Sequence, residues 1–91
     1  MEKQQQELTA RFDSRKSFYG KAIIKMEGGK LCLISYNTLV ARINIKKGIA
    51  EVYGDYSQTT MRHIKEFLKQ NGFKAENKNQ ILKDYYVNLQ F

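Results

Sequence analysis

Residues Tyr53–Phe73, YGDYSQTTMRHIKEFLKQNGF, read as one amphipathic helix with a marked start and a marked stop. Ser57 is the natural N-cap, because its hydroxyl can accept from a free N–H of the first turn. Met61, Ile64, Phe67 and Leu68 then line one face at helical spacing. Arg62, Lys65, Glu66, Lys69 and Gln70 lie largely outside that face. Gly72 suits the left-handed residue of a Schellman motif, with Phe73 reaching back to Leu68. Thr59 and Thr60 are weak interior helix formers, and their place in the first turn is locally consistent.

Upstream of this helix the period falls to two. Phe18, Gly20, Ala22, Ile24 and Met26 alternate with Tyr19, Lys21, Ile23 and Lys25, which predicts a half-buried strand from Ser17. Glu27-Gly28-Gly29-Lys30 supplies a hairpin turn, since paired glycines tolerate positive φ. Leu31–Tyr36 is apolar on both faces and reads as a central strand. Asn37 marks the next turn. Thr38–Ile45 is the third strand, with Leu39, Ala41, Ile43 and Ile45 on one face and Val40, Arg42 and Asn44 on the other. Lys46-Lys47-Gly48 closes a further hairpin into Ile49–Tyr53. Short links between successive strands imply an antiparallel meander. The predicted fold is therefore α+β, a four-stranded meander with one main helix across it. Its expected core is Ile24, Leu33, Leu39, Ile43, Ile64, Phe67 and Leu68.

The ends are less sharply written. Residues 1–14 are polar and read as either an arm or a short helix docking Leu8 and Phe12. The remainder, 15–91, is a single domain, as the length of 91 residues requires. Near the C-terminus, either Asn77 or Asn79 caps a short helix holding Ile81, Leu82 and Tyr85. It should run to about Tyr86, with Val87, Leu89 and Phe91 extended beyond it.

Composition narrows the chemistry. The single histidine and single cysteine preclude a His/Cys metal cluster and an internal disulfide. Cys32, within LCLI, reads as a buried inert thiol. No phosphate-binding glycine loop or paired-carboxylate signature is present, so neither a catalytic residue nor a cofactor is expected. His63 reads as a structural imidazole rather than a general base. No apolar run is long enough to span a membrane, and MEKQQQELTARFDSRKS lacks the apolar region of a secretory leader.

Binding chemistry is better represented. Sixteen basic against nine acidic residues give a formal charge of +7, dispersed along the chain. Such a field attracts polyanions. Six tyrosines and five phenylalanines accompany it. Tyr19, set among Arg15, Lys16, Lys21 and Lys25, offers a stacking surface beside cations, the combination that holds single-stranded nucleic acid. Arg42 joins this face if strand pairing brings it near. The helix start, with Ser57, Gln58, Thr59 and Thr60 ahead of Arg62 and His63, offers either an anion site or ordinary capping. The candidate binding residues are thus Arg15, Lys16, Tyr19, Lys21, Arg42, Arg62 and Lys65. A protein–protein module or homodimer, acting through exposed tyrosines and a sheet edge, is the alternative.

Three segments, SFYGKA (Ser17–Ala22), SYNTLVARI (Ser35–Ile43) and YSQTTMRHIKEFLKQNGF (Tyr56–Phe73), resemble a family of small uncharacterised proteins of plasmids, phages and other mobile elements of Gram-positive bacteria. The shared pattern is SFYGKA, then SYxT before an apolar strand, then YSxTTxRHIxEFLxQNG. The resemblance implies action in the cytoplasm of a bacterial host and stoichiometric binding of nucleic acid or a host nucleoprotein. Counter-defence inhibitors of the anti-CRISPR type are one such class. Because this chain is basic, imitation of DNA is not the mode implied.

Overall fold

The computed structural model describes residues 5–14 and 18–88. Its elements follow in the order β1 (Gln5–Glu7), β2 (Ala22–Glu27), β3 (Lys30–Ser35), β4 (Thr38–Asn44), β5 (Ile49–Val52), α1 (Gln58–Gln70) and α2 (Lys78–Tyr85). The sheet is antiparallel throughout, with strands in sequence order. Among the described residues it has five strands, not four. The extra one is β1, within the segment expected to be an arm or a short helix. All three of its residues are exposed, so it carries no apolar alternation. Its inward anchor is Leu8, one residue beyond, which is buried in the core and donates its N–H to the Ala22 carbonyl at 2.9 Å.

Register sorts the side chains into two faces. Ile24, Leu33, Ala41 and Val52 form one cross-sheet row on the inner side. Lys25, Cys32, Arg42 and Glu51 form the adjacent row on the outer side. α1 covers the inner face, where Ile64, Phe67 and Leu68 are fully buried in one core cluster with Leu33, Val40, Ile43 and Val52. Large buried aromatics of this kind are costly to truncate, at roughly 3–5 kcal/mol for Phe→Ala. α2 adds Ile81 to the same cluster, with Leu82 and Tyr85 packed against it.

One core assignment changes. The pairing of β3 with β4 slips between Leu33 and Ile34, so that Ala41 faces Leu33 while Leu39 faces Ile34. Val40 is the extra residue of a β-bulge. It turns inward and is buried, while Leu39 moves to the outer side beside Ile34 and is only half-buried. A strict period of two cannot see such an insertion.

The helix ends match their signals. Ser57 Oγ accepts from Thr60 N–H at 3.3 Å. At the other end Gly72 has φ +83°, and the Phe73 and Gly72 N–H groups donate to the Leu68 and Lys69 carbonyls at 2.9 and 3.1 Å, a Schellman closure. Of the two cap candidates for α2, Asn77 serves, accepting from Gln80 N–H at 2.9 Å. Beyond α2 the chain turns extended. Tyr86 bridges Val52 in parallel, and Val87 N–H donates to the Val52 carbonyl at 2.9 Å. Leu89 and Phe91 lie outside the described residues.

The expected strand from Ser17 begins only at Ala22. Lys21 N–H donates back to the Phe18 carbonyl at 3.0 Å, which closes a tight turn over Tyr19 and Gly20. Tyr19 is therefore at a turn tip and not on a strand face.

Candidate functional site

Two such turns sit at the same end of the sheet. Tyr19 and Gly20 have φ 54° and 72°; Tyr36 and Asn37, in the two-residue loop joining β3 to β4, have φ 49° and 68°. Positive φ at both central residues is the geometry of a type I′ turn. Lys21 ties the two together, since its carbonyl accepts from Tyr36 N–H at 3.0 Å. The first turn is also held from β1, where Glu7 Oε2 accepts from Gly20 N–H at 2.8 Å.

Between these turns and α1 lies a cleft of about 220 Å³ lined by Phe18, Tyr19, Lys21, Tyr36, Thr59, Arg62 and His63. Behind His63, which lines it, sequence-distant polar groups meet. Ser35 Oγ is 2.8 Å from His63 Nδ1 and 3.0 Å from Thr60 Oγ1, and all three residues are buried. Phe18 meets the His63 ring edge-on at 4.7 Å, and Tyr36 stacks over it at 5.8 Å. Burial lowers the His63 pKa, with the nearby Asp13 carboxylate acting in the opposite sense. A neutral imidazole hydrogen-bonded to the Ser35 hydroxyl fits this place. Ser35 and His63 are both buried, and their contact braces β3 against α1. Of the hydroxyls at the helix start, Ser57 caps the helix and Thr60 joins this contact, while Thr59 lines the cleft.

The rim is where charge is available. Tyr19 is 78% exposed and Tyr36 50%. Arg62 approaches Asp13 Oδ1 only to 3.9 Å, with about a third of its side chain exposed. Arg62 also lines a second groove with Phe12, Asp13, Ser14, Lys65, Glu66 and Lys69. Arg62, Lys65 and Lys69 follow one another along α1 at helical spacing, and Lys69 Nζ lies 5.8 Å from the Phe12 ring. The basic stripe of α1 is thus continuous with the tyrosine cleft.

That second groove exists because of Glu66, expected on the polar side of α1 and found buried. Its carboxylate accepts from three successive backbone N–H groups, Arg11 at 2.8 Å, Phe12 at 3.0 Å and Asp13 at 3.0 Å. Gln70 Nε2 adds a fourth donor at 2.5 Å. An anion-binding concavity of backbone amides is here filled from within.

Of the sequence-derived candidates, Tyr19, Lys21 and Arg62 converge on the cleft, and Lys65 lies on the adjoining groove. Arg15 and Lys16 lie outside the described residues. Arg42 stands apart on the outer sheet face. Its Nε donates to Tyr53 Oη at 2.6 Å, and the Tyr53 hydroxyl donates to Glu51 Oε1 at 2.7 Å. Burial, then the bond to Glu51, pushes the Tyr53 hydroxyl up to about 12, which keeps it a donor. Arg42 is thereby committed to a local network. Tyr36 and Lys69 were missed. A signal for Tyr36 existed, since Ser35-Tyr36-Asn37-Thr38 reads as a two-residue hairpin loop once both neighbours are strands. Cys32 is buried, and burial is the main influence raising its thiol pKa. Among the described residues no group of three or more His, Cys, Asp or Glu side chains is placed to hold a metal ion, and no helix is long and apolar enough to cross a membrane.

The fold and this surface define a small α+β domain whose cationic, aromatic end is braced from beneath. Over residues 6–83 the chain matches the family of unknown function DUF8033, and it belongs to that family. The comparison with curated proteins found no match, and neither did that with solved structures.

Proposed function

We propose that the protein is a non-catalytic binding protein whose ligand is nucleic acid, free or within a host nucleoprotein. The observation that carries this reading is the convergence of Tyr19, Lys21, Tyr36 and Arg62 on one cleft, continued by Lys65 and Lys69, in a chain of charge +7. Cations beside exposed flat rings suit phosphates and bases together. The resemblance to small proteins of plasmids and phages supports a place in the cytoplasm of a bacterial host. It also supports a counter-defence role, in which the protein occupies a nuclease–guide complex of the CRISPR type by contact with its RNA or an acidic protein surface.

The test is fluorescence anisotropy with labelled single-stranded DNA, duplex DNA and RNA at about 50 and 200 mM salt. Binding should weaken steeply with salt. The triple variant K21A/R62A/K65A should bind several-fold more weakly, with a salt slope shallower by up to about three. Affinity unchanged in that variant would remove the assignment. The second reading, a protein–protein module, is favoured by the exposure of Tyr19, Tyr36 and Tyr86. It requires a complex that survives high salt and is lost on Tyr→Ala replacement.

A further inference from the structure

The two tyrosine turns use an unusual residue for their geometry. At the opposite end of the sheet the hairpin Glu27–Lys30 takes similar positive φ values, 59° and 79°, with Gly28 and Gly29, and a Cβ at either would meet open space. There the backbone conformation comes without strain. At the cleft end the first position of both turns carries Tyr, a bulky residue that rarely adopts positive φ. Glycine or asparagine would serve either turn better. Strain held at an exposed position, twice, on adjoining loops, points to what the side chain does beyond the turn.

Both turns are fixed in place, and the Tyr36 ring is supported as well. The Tyr19 turn is fixed by the bonds from Lys21 to Phe18 and from Gly20 to Glu7, and the Tyr36 turn by its bond to Lys21. Tyr36 rests on His63, whose ring is itself held by Ser35. The backbone of both turns and the Tyr36 ring therefore have little freedom left to lose on binding, which favours affinity. Flanking the rings are Lys21 and Arg62, and from Arg62 the cations continue along α1.

Resting on the nucleic-acid reading above, we infer that the cleft selects unpaired strands, with nucleobases stacking on the Tyr19 and Tyr36 rings while Lys21, Arg62 and then Lys65 follow the phosphates. Bases within a duplex have both faces covered and cannot reach the rings. Single-stranded DNA and RNA share the chemistry, and the assay separates them.

The experiment compares four labelled oligonucleotides of equal length by anisotropy with the whole protein. They are a single-stranded DNA, the same sequence as RNA, a blunt duplex, and a strand in which abasic sugars replace the bases. The base-bearing strands should bind on the order of ten-fold tighter than the duplex or the abasic strand. The tighter of DNA and RNA names the source. Tyr19→Asn and Tyr36→Asn remove a ring while suiting positive φ. Each should weaken the base-bearing strand by about ten-fold, leave the abasic strand unchanged, and melt at or above the wild-type temperature. Tyr36→Phe keeps the ring and should bind as wild type. Equal affinity for abasic and base-bearing strands would overturn the stacking inference and leave phosphate-driven binding standing. So would Asn variants that fold and bind normally, or loss of binding in Tyr36→Phe. Absence of binding to every strand would overturn both.

Discussion

His63 shows how one residue can link stability to the candidate site. Its ring supports Tyr36, receives the edge of Phe18 and is hydrogen-bonded to Ser35. Burial disfavours the charged form, so the pKa in the fold lies below the ordinary 6.5. Between those two values the unfolded chain binds more protons than the folded one, so stability rises with pH there. The contribution is complete above about 6.5 and declines as the pH falls toward the folded value. The melting temperature should therefore be lower at about pH 5.5 than at about pH 7.5. In His63→Asn, which can still bond to Ser35 but does not titrate, that fall should be smaller. Equal slopes in the two proteins, followed by thermal denaturation across this range, would show that the imidazole is not the group responsible.

At the scale of elements the decisive contact is between the 8–14 segment and α1. Glu66 accepts from Arg11, Phe12 and Asp13 amides, more than fifty residues away in sequence. Charge-assisted bonds are worth about 1.5–3 kcal/mol each in favourable cases, and amides left unsatisfied add a penalty. Glu66→Ala should destabilise the domain by roughly 3 kcal/mol, read as a lower urea midpoint, with faster hydrogen exchange at amides 11–13. Glu66→Gln should also destabilise, because its NH₂ would face donors. Local devices were legible in the sequence: the Ser57 cap, the Gly72 closure and the Gly28-Gly29 hairpin each depend on residues a few positions apart. β1 was not, since Gln5, Gln6 and Glu7 lie exposed on an edge and only Leu8 beyond them is buried. The Val40 bulge and the inward turn of Glu66 were hidden for a related reason. Each is decided by a partner far along the chain, where helical or strand period says nothing. The site divides the same way. Its cations were visible as composition, whereas the grouping of Tyr19 with Tyr36 depends on two turns meeting in space.

For the whole molecule, the question is whether the sheet invites a second copy. A long flat edge with unpaired backbone groups would do so. Here one edge, β5, is partly covered by Tyr86 and Val87 through their contacts with Val52. The other, β1, spans three exposed polar residues among those described, and Glu7 is already engaged with Gly20. Edge pairing over so few residues offers little hydrogen bonding and almost no apolar burial. Two copies each carrying +7 would also repel at low ionic strength. The protein should therefore be monomeric at micromolar concentration in the absence of ligand, with a light-scattering mass of 10.7 kDa. Added salt screens the repulsion, so a monomer that persists at high salt would locate the cause in the blunted edges. A mass that doubles with salt would mean that charge alone holds copies apart. A mass already doubled at low salt would instead favour the protein–protein reading, and the tyrosine-bearing end would be the first surface to examine for the contact.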